Sequence, residues 1–204
     1  MQHARQSLLS SASAPAVAAT HAAGSRRAQA ARRAADWALY WTVAFAALHV
    51  YWYLGGRVGF GDQQDPLPAA PSSLGDWIFT VVIFGMFAAG IVVPSALGRP
   101  WGRRLPRWLL VWSMWIGCAV LSLRGGTGLL DDGLRFTGLV DDGLTGMSNE
   151  RVLGSAHPTT YTQLSAVAID AIFFIGGLLF AYAAALVSSA ASPVRTTSAT
   201  HLRY

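Results

Sequence analysis

The sequence predicts an all-α integral membrane protein: a four-helix bundle with both termini cytoplasmic. The 204-residue chain has only 12% charged residues and a mean hydropathy of +0.39, which is too apolar for a typical soluble domain. It contains four apolar stretches, and a helix needs roughly 20 such residues to cross a hydrocarbon core of about 30 Å. Its arginines also favour one side of the predicted bundle, which sets the orientation.

The four predicted spans define a membrane domain over residues 36–190. The third is the shortest, and we expect it to continue past Arg124 with that side chain reaching toward the interface. Successive spans cross the membrane in opposite directions, so neighbouring helices are expected to run antiparallel. The spans are placed near Trp37–Leu54, Trp77–Leu97, Trp108–Leu123 and Leu164–Val187.

Two tails flank this domain. Residues 1–35 carry five arginines and no acid and are rich in Ala, Ser and Gln. Such a segment has little to bury, so we expect it to be disordered, with a helix on an anionic surface as the alternative for its Ala-rich part. A transit peptide is a further alternative. Residues 191–204 form the second cytoplasmic tail.

The arginines predict the orientation. Eleven of the fifteen fall in the two tails and in the connection "LGRPWGRRLPRW", whereas the other side has four and holds nearly all the acids. The positive-inside rule then gives an even number of spans with cytoplasmic termini. The same placement explains the pI near 10.0 without nucleic acid as a partner. Cys118 is the only cysteine, so a disulfide within one chain is excluded.

The loop between the third and fourth predicted spans contains a short internal repeat, "GLLDDGL" at 128–134 and "GLVDDGL" at 138–144. A ten-residue offset is close to three helical turns. We therefore expect Asp131/Asp132 and Asp141/Asp142 to share one side of a surface helix, which the interior glycines weaken.

Two ionisable residues lie inside predicted spans, where such groups are expensive and need a partner or a use. His49, in "AALHVYWYLGG", and Asp170, in "QLSAVAIDAIFF", lie at similar depths below the outer ends of antiparallel spans. We expect them to form a pair, with His49 and Asp170 as the candidate catalytic residues. The competing interpretation is that the pair only stabilises the packing of the two helices.

Three more residues on the outer side are candidates for substrate binding: Arg124, Trp52 and Asp76. They close span three, line the end of span one and open span two. The competing interpretation is that they are boundary residues and interfacial anchors. No histidine pair or acidic loop has metal-ligand spacing, so no metal site and no cofactor are predicted.

Several motifs together resemble a known family. They are "LHVYWYLGG", "GRPWGRRLPRWLL", "LRGGTGLLDD" and "IDAIFFIGGLLFAYAA", within about residues 36–190. In this order they resemble the small four-span bacterial membrane proteins grouped as domain of unknown function 3995. The resemblance implies architecture, because the family has no assigned activity, substrate or catalytic residue.

The sequence therefore predicts a multi-pass protein of the bacterial plasma membrane with no identifiable catalytic class. A structural, accessory or lipid-interacting role is the first expectation, with the bilayer and a lipid or isoprenoid as partners. The alternative is an enzyme or carrier acting on an isoprenoid, quinone or lipid from the outer leaflet. In that alternative, His49 is the general base, Asp170 orients it and Arg124 holds an anionic head.

Overall fold

A computed structural model describes residues 2–61, 71 and 73–189 of the chain. Within these residues every regular element is helical, which confirms the all-α prediction. A 3₁₀ turn joins the second and third long helices, and a loop that contains a five-residue helix joins the third and fourth. The elements are α1 (Gln2–Tyr53), α2 (Leu74–Gly98), a 3₁₀ turn (Pro100–Arg104), α3 (Arg107–Thr137), α4 (Asn149–Leu153) and α5 (Thr160–Ser189).

The first helix is much longer than the predicted span. Residues 1–35 were expected to be disordered, with a helix as the alternative for the Ala-rich part, and α1 continues through the basic segment from Gln2. Ala31, Ala34, Ala35 and Ala38 form a buried stripe at helical spacing across this junction. Alanine has the highest helix propensity and lets a neighbouring helix approach closely, so nothing in this stretch ends the helix. The predicted tail at 191–204 lies outside the described residues.

The long helices run antiparallel to their neighbours. On α1, Trp41 contacts Phe180 and Phe45 contacts Phe173, so α5 runs opposite to α1. Phe45 also contacts Phe87 of α2. The small core lies between α1, α3 and α5, where Met114, Leu121 and Phe180 pack with buried alanines.

The contact between α3 and α5 is the most extensive in the molecule and depends on glycine. Gly125 lies directly against the backbone of α5 at Asp170 and Phe174, with no room for a methyl group. Gly177 lies in the same way against Ser122 of α3. Small residues at such positions allow helices to pack backbone to backbone.

The third helix continues to Thr137, which confirms that it extends past Arg124. It ends at Gly138, whose positive φ of 67° closes the helix with a left-handed cap. The prediction of one surface helix across both copies of the repeat is therefore wrong. Asp131 and Asp132 lie within α3, whereas residues 141 and 142 lie in the turns that follow.

Three helices among the described residues, α2, α3 and α5, are long and apolar enough to cross a membrane. Only 11% of the most apolar stretch of α2 is buried within the protein. That surface would be unfavourable in water and is suited to lipid. The apolar part of α1 is richer in Trp and Tyr and includes His49, and this helix does not reach the same hydropathy.

We predict opposite effects for two alanine substitutions in α3. Gly125→Ala should lower the free energy of unfolding by about 1–3 kcal/mol, because the new methyl group would overlap the α5 backbone. Gly133→Ala should raise it by about 0.5–1 kcal/mol, since a methyl group there meets open space within a helix. Denaturant titration of the purified protein in detergent measures both. Equal effects would contradict the close packing of α3 on α5.

Candidate functional site

His49 lies in a cluster of aromatic rings. Its ring is 4.5 Å from that of Phe45, 4.9 Å from Trp52 and 4.8 Å from Phe87, between centroids and in edge-to-face geometry. The Nδ1 atom lies 3.0 Å from the Phe45 carbonyl oxygen of the preceding turn. A carbonyl can only accept, so Nδ1–H is the donor. In the neutral ring, Nε2 is then left as a hydrogen-bond acceptor.

An apolar cavity of about 320 Å³ lies beside His49. It is bounded by all four long helices and arises because α2 packs mainly on α1 and only lightly on α3. Its walls are aliphatic and aromatic, and its few polar side chains are His49, Thr42 and Ser113. The Thr42 hydroxyl donates to the Ala38 carbonyl, at 2.9 Å. An apolar cavity with a few polar groups is the usual form of a small-molecule site.

Asp170 pairs with Arg124 and not with His49. The Arg124 Nη1 atom donates to Asp170 Oδ1 at 2.5 Å, and the two side chains are 53% and 10% exposed. The guanidinium also lies over the Phe173 ring, 5.1 Å from its centroid. The described residues show no hydrogen bond between His49 and Asp170. The predicted dyad is therefore absent from this arrangement, and each member has a different partner.

Arg124 has its charge already balanced by Asp170. A second cavity, of about 240 Å³, lies beside this ion pair and is bordered by Phe60, Thr162 and Ser165. The negative charge of the largely buried carboxylate is in direct contact with the guanidinium, which makes Arg124 a poorer candidate for holding an anionic ligand. The pair holds α3 to α5 just where their backbones approach most closely.

Trp52 and Asp76 have structural contacts. The Trp52 indole donates to the Val58 carbonyl at 2.7 Å, and its buried ring packs against Phe60, so it anchors the turn after α1. Asp76 forms a capping box with Ser73 at the start of α2. Among the described residues, neither side chain lines the apolar cavity.

A buried polar cluster at the end of α3 went unnoticed in the sequence analysis. Arg135 donates through Nε to Asp131 at 2.8 Å and through its other nitrogens to Asn149, Thr145 and the Asp142 carbonyl. Asp131 also accepts from the backbone N–H of Leu144. These bonds hold the loop after α3 against the helix end. The i,i+4 spacing of Asp131 and Arg135 was the available signal.

Asp132, next to this cluster, has a buried Oδ2 atom without a hydrogen-bond partner in the part of the chain that the structure describes. The same residues contain no group of three His, Cys, Asp or Glu side chains that could hold a metal ion. Asp131 thus holds the loop after α3 through Arg135 and Leu144, and Oδ2 of Asp132 makes no such contact within these residues.

The helices and the apolar cavity are compatible with a helical membrane protein. The sequence model described as "Protein of unknown function (DUF3995)" matches residues 42–149, more than half of the chain. The chain therefore belongs to this family, which confirms the resemblance. The match includes "LHVYWYLGG", the basic turn and "LRGGTGLLDD", and ends before α5. Comparison with curated proteins and with solved structures found no match.

We predict that Asp131 and Asp132 contribute differently to stability although they are neighbours of the same charge. Asp131→Asn should lower the free energy of unfolding by about 3–5 kcal/mol, because it leaves the buried Arg135 guanidinium without its ion-pair partner. Asp132→Asn should leave stability unchanged or raise it, because it removes a buried charge that has an unpartnered oxygen.

The midpoint of thermal unfolding of the two variants in one detergent measures this difference. A similar loss in both would show that the Asp131–Arg135 bond is not what holds the loop.

Proposed function

We propose that this protein crosses the bacterial plasma membrane four times and binds one chain of an isoprenoid or other lipid in the apolar cavity beside His49. The fourth span is α1. It packs antiparallel to α2 and α5, and its aromatic residues flank the cavity at the same level as the apolar parts of those helices. Trp and Tyr are tolerated at membrane interfaces, which offsets the lower hydropathy of this helix.

The cavity is the observation that carries the binding proposal. Its volume of about 320 Å³ falls at the lower end of the range for ligand sites, and nearly all its surface is apolar. It borders α2, whose outer surface is exposed, so a chain can enter sideways from the bilayer core. A slender hydrocarbon chain fits this setting better than a polar metabolite does.

His49 gives the cavity a hydrogen-bonding group. With Nδ1–H donated to Phe45, the ring offers Nε2 as an acceptor, which suits a ligand carrying a hydroxyl group. A prenol is the simplest molecule with both features. The enzyme alternative required Asp170 to orient His49, and Asp170 is bound to Arg124. Binding is therefore better supported than general-base catalysis.

A cavity-filling substitution tests this proposal. Ala89 borders the cavity, whereas its neighbour Ala88 is exposed on α2 outside it, so Ala89→Trp and Ala88→Trp add the same side chain in different places. Native mass spectrometry of the detergent-solubilised protein with an added long-chain prenol should find one bound molecule in the wild type and in Ala88→Trp. Ala89→Trp should lose it.

The control outcomes separate the alternatives. Equal binding by all three proteins would place the prenol on the outer surface rather than in the cavity. No binding by the wild type would leave a structural or accessory role as the better interpretation.

The orientation is tested separately. The ends of α2 and α5 and the start of α3 lie together at the arginine-rich end of the bundle, which we propose faces the cytoplasm. A reporter that is active only in the cytoplasm, fused after Tyr204, should be active. Activity of a periplasm-specific reporter at the same position would contradict the proposed orientation.

A further inference from the structure

The arginine-rich end of the bundle contains a separate, larger cavity of about 640 Å³. It lies between α1, the end of α2, the 3₁₀ turn and the start of α3, and none of the residues that line it also lines the cavity beside His49. Four arginines border it, one from α1, two from the connection after α2 and one from α3: Arg32, Arg99, Arg103 and Arg107.

The connection that carries these arginines is fixed in place. Gly102 is buried against the backbone of Ala96, where no side chain fits, so the 3₁₀ turn is held against the end of α2. The backbone N–H of Leu105 donates to the Gly102 carbonyl at 3.1 Å and closes the turn. Arg107 donates from Nη2 to the Val187 carbonyl at 2.7 Å, which ties this end of α3 to α5. The cavity is therefore bounded by ordered backbone.

Within the described part of the chain, no carboxylate forms an ion pair with the arginines of this cavity. Both ion pairs found in the described residues, Arg124–Asp170 and Arg135–Asp131, involve the opposite end of the bundle. Asp36, the acid of the basic end, lies near Gly98 at the cavity edge but forms no ion pair with these arginines. Several guanidinium groups around one cavity repel each other unless an anion lies between them. Arginine binds phosphate oxygens with two parallel hydrogen bonds, which makes phosphate the matching group.

The surroundings favour a lipid as the source of that phosphate. Trp101 and Trp108 are next to the arginines and are 40% and 65% exposed, as expected for residues at the headgroup level of a bilayer. The exposed apolar surface of α2 begins at Val92, about one helical turn before Ala96 at the cavity edge. A headgroup held here would have its acyl chains along that surface. Basic pockets between helices at the cytoplasmic interface are suited to anionic lipid headgroups.

We propose that this arginine-lined cavity binds the phosphate headgroup of an anionic phospholipid. The proposal rests on membrane insertion as proposed above, but not on the apolar cavity beside His49. The two sites lie at different levels of the bundle and bind different parts of lipids, a phosphate headgroup here and a hydrocarbon chain there.

Two neighbouring pairs of arginines provide a matched test. Arg32 and Arg103 border the cavity, whereas Arg33 and Arg104 lie next to them on the same elements and do not. The variants R32Q/R103Q and R33Q/R104Q therefore remove the same charge from the same helix and turn. All four side chains belong to exposed residues, so neither variant should unfold the protein.

The measurement is binding of phosphatidylglycerol, phosphatidylcholine and inorganic phosphate to the full chain in a neutral detergent, by native mass spectrometry. We expect the wild type and R33Q/R104Q to bind phosphatidylglycerol in preference to phosphatidylcholine. R32Q/R103Q should bind phosphatidylglycerol about tenfold more weakly or worse. Ala89→Trp should bind it like the wild type, which separates this site from the apolar cavity.

Three results would overturn the proposal. Equal losses in the two double variants would indicate diffuse surface charge and no cavity site. Unchanged binding in R32Q/R103Q would remove the cavity from consideration, and inorganic phosphate bound as tightly as the lipid would make the ligand a soluble anion. If R32Q/R103Q does not fold, the single variants R99Q and R104Q provide the same comparison, because Arg99 borders the cavity and Arg104 does not.

Discussion

The close approach of α3 and α5 is the constraint on which the rest of the structure depends. Gly125 on one helix and Gly177 on the other leave no space for a side chain, so the two backbones are in contact. That contact sets the rotation of each helix and brings Arg124 to Asp170. A carboxylate within an apolar bundle is costly without a partner, and here the partner is supplied by the adjacent helix. Packing and charge neutralisation therefore depend on the same glycines.

The apolar cavity is a consequence of this tight contact. The helices α1, α3 and α5 share the core, whereas α2 rests chiefly on α1 and contributes little to that core. Between α2 and α3 a space remains, and its walls are apolar because all four helices present apolar faces there. The two ends of the bundle also differ. At one end, one ion pair joins α3 to α5 and another holds the loop after α3; at the other end, the arginines around the cavity have no carboxylate partner among the described residues. This division is the basis of the two separate lipid sites proposed above.

The sequence predicted the elements better than their contacts. Length and hydropathy located α2, α3 and α5, because these properties do not depend on which way a helix faces. The pairing of His49 with Asp170 rested on depth alone, and depth leaves the rotation of each helix open. Arg124 was noticed as a ligand-binding residue, yet it is the partner of Asp170, because the glycines of α3 turn it toward α5. Near the start of the predicted span, Ala31, Ala34 and Ala35 are buried against other helices, and composition alone does not reveal that packing.

The most direct test of this account is a pair of double-mutant cycles that share Asp170→Asn. One cycle combines it with Arg124→Gln and the other with His49→Ala, and denaturant titration in detergent gives the free energy of unfolding for each variant. The account predicts a coupling of about 1 kcal/mol or more between Arg124 and Asp170, and additivity within about 0.5 kcal/mol for His49 and Asp170. Coupling of Asp170 to His49 with none to Arg124 would contradict the helix rotation on which the cavity and both proposals depend.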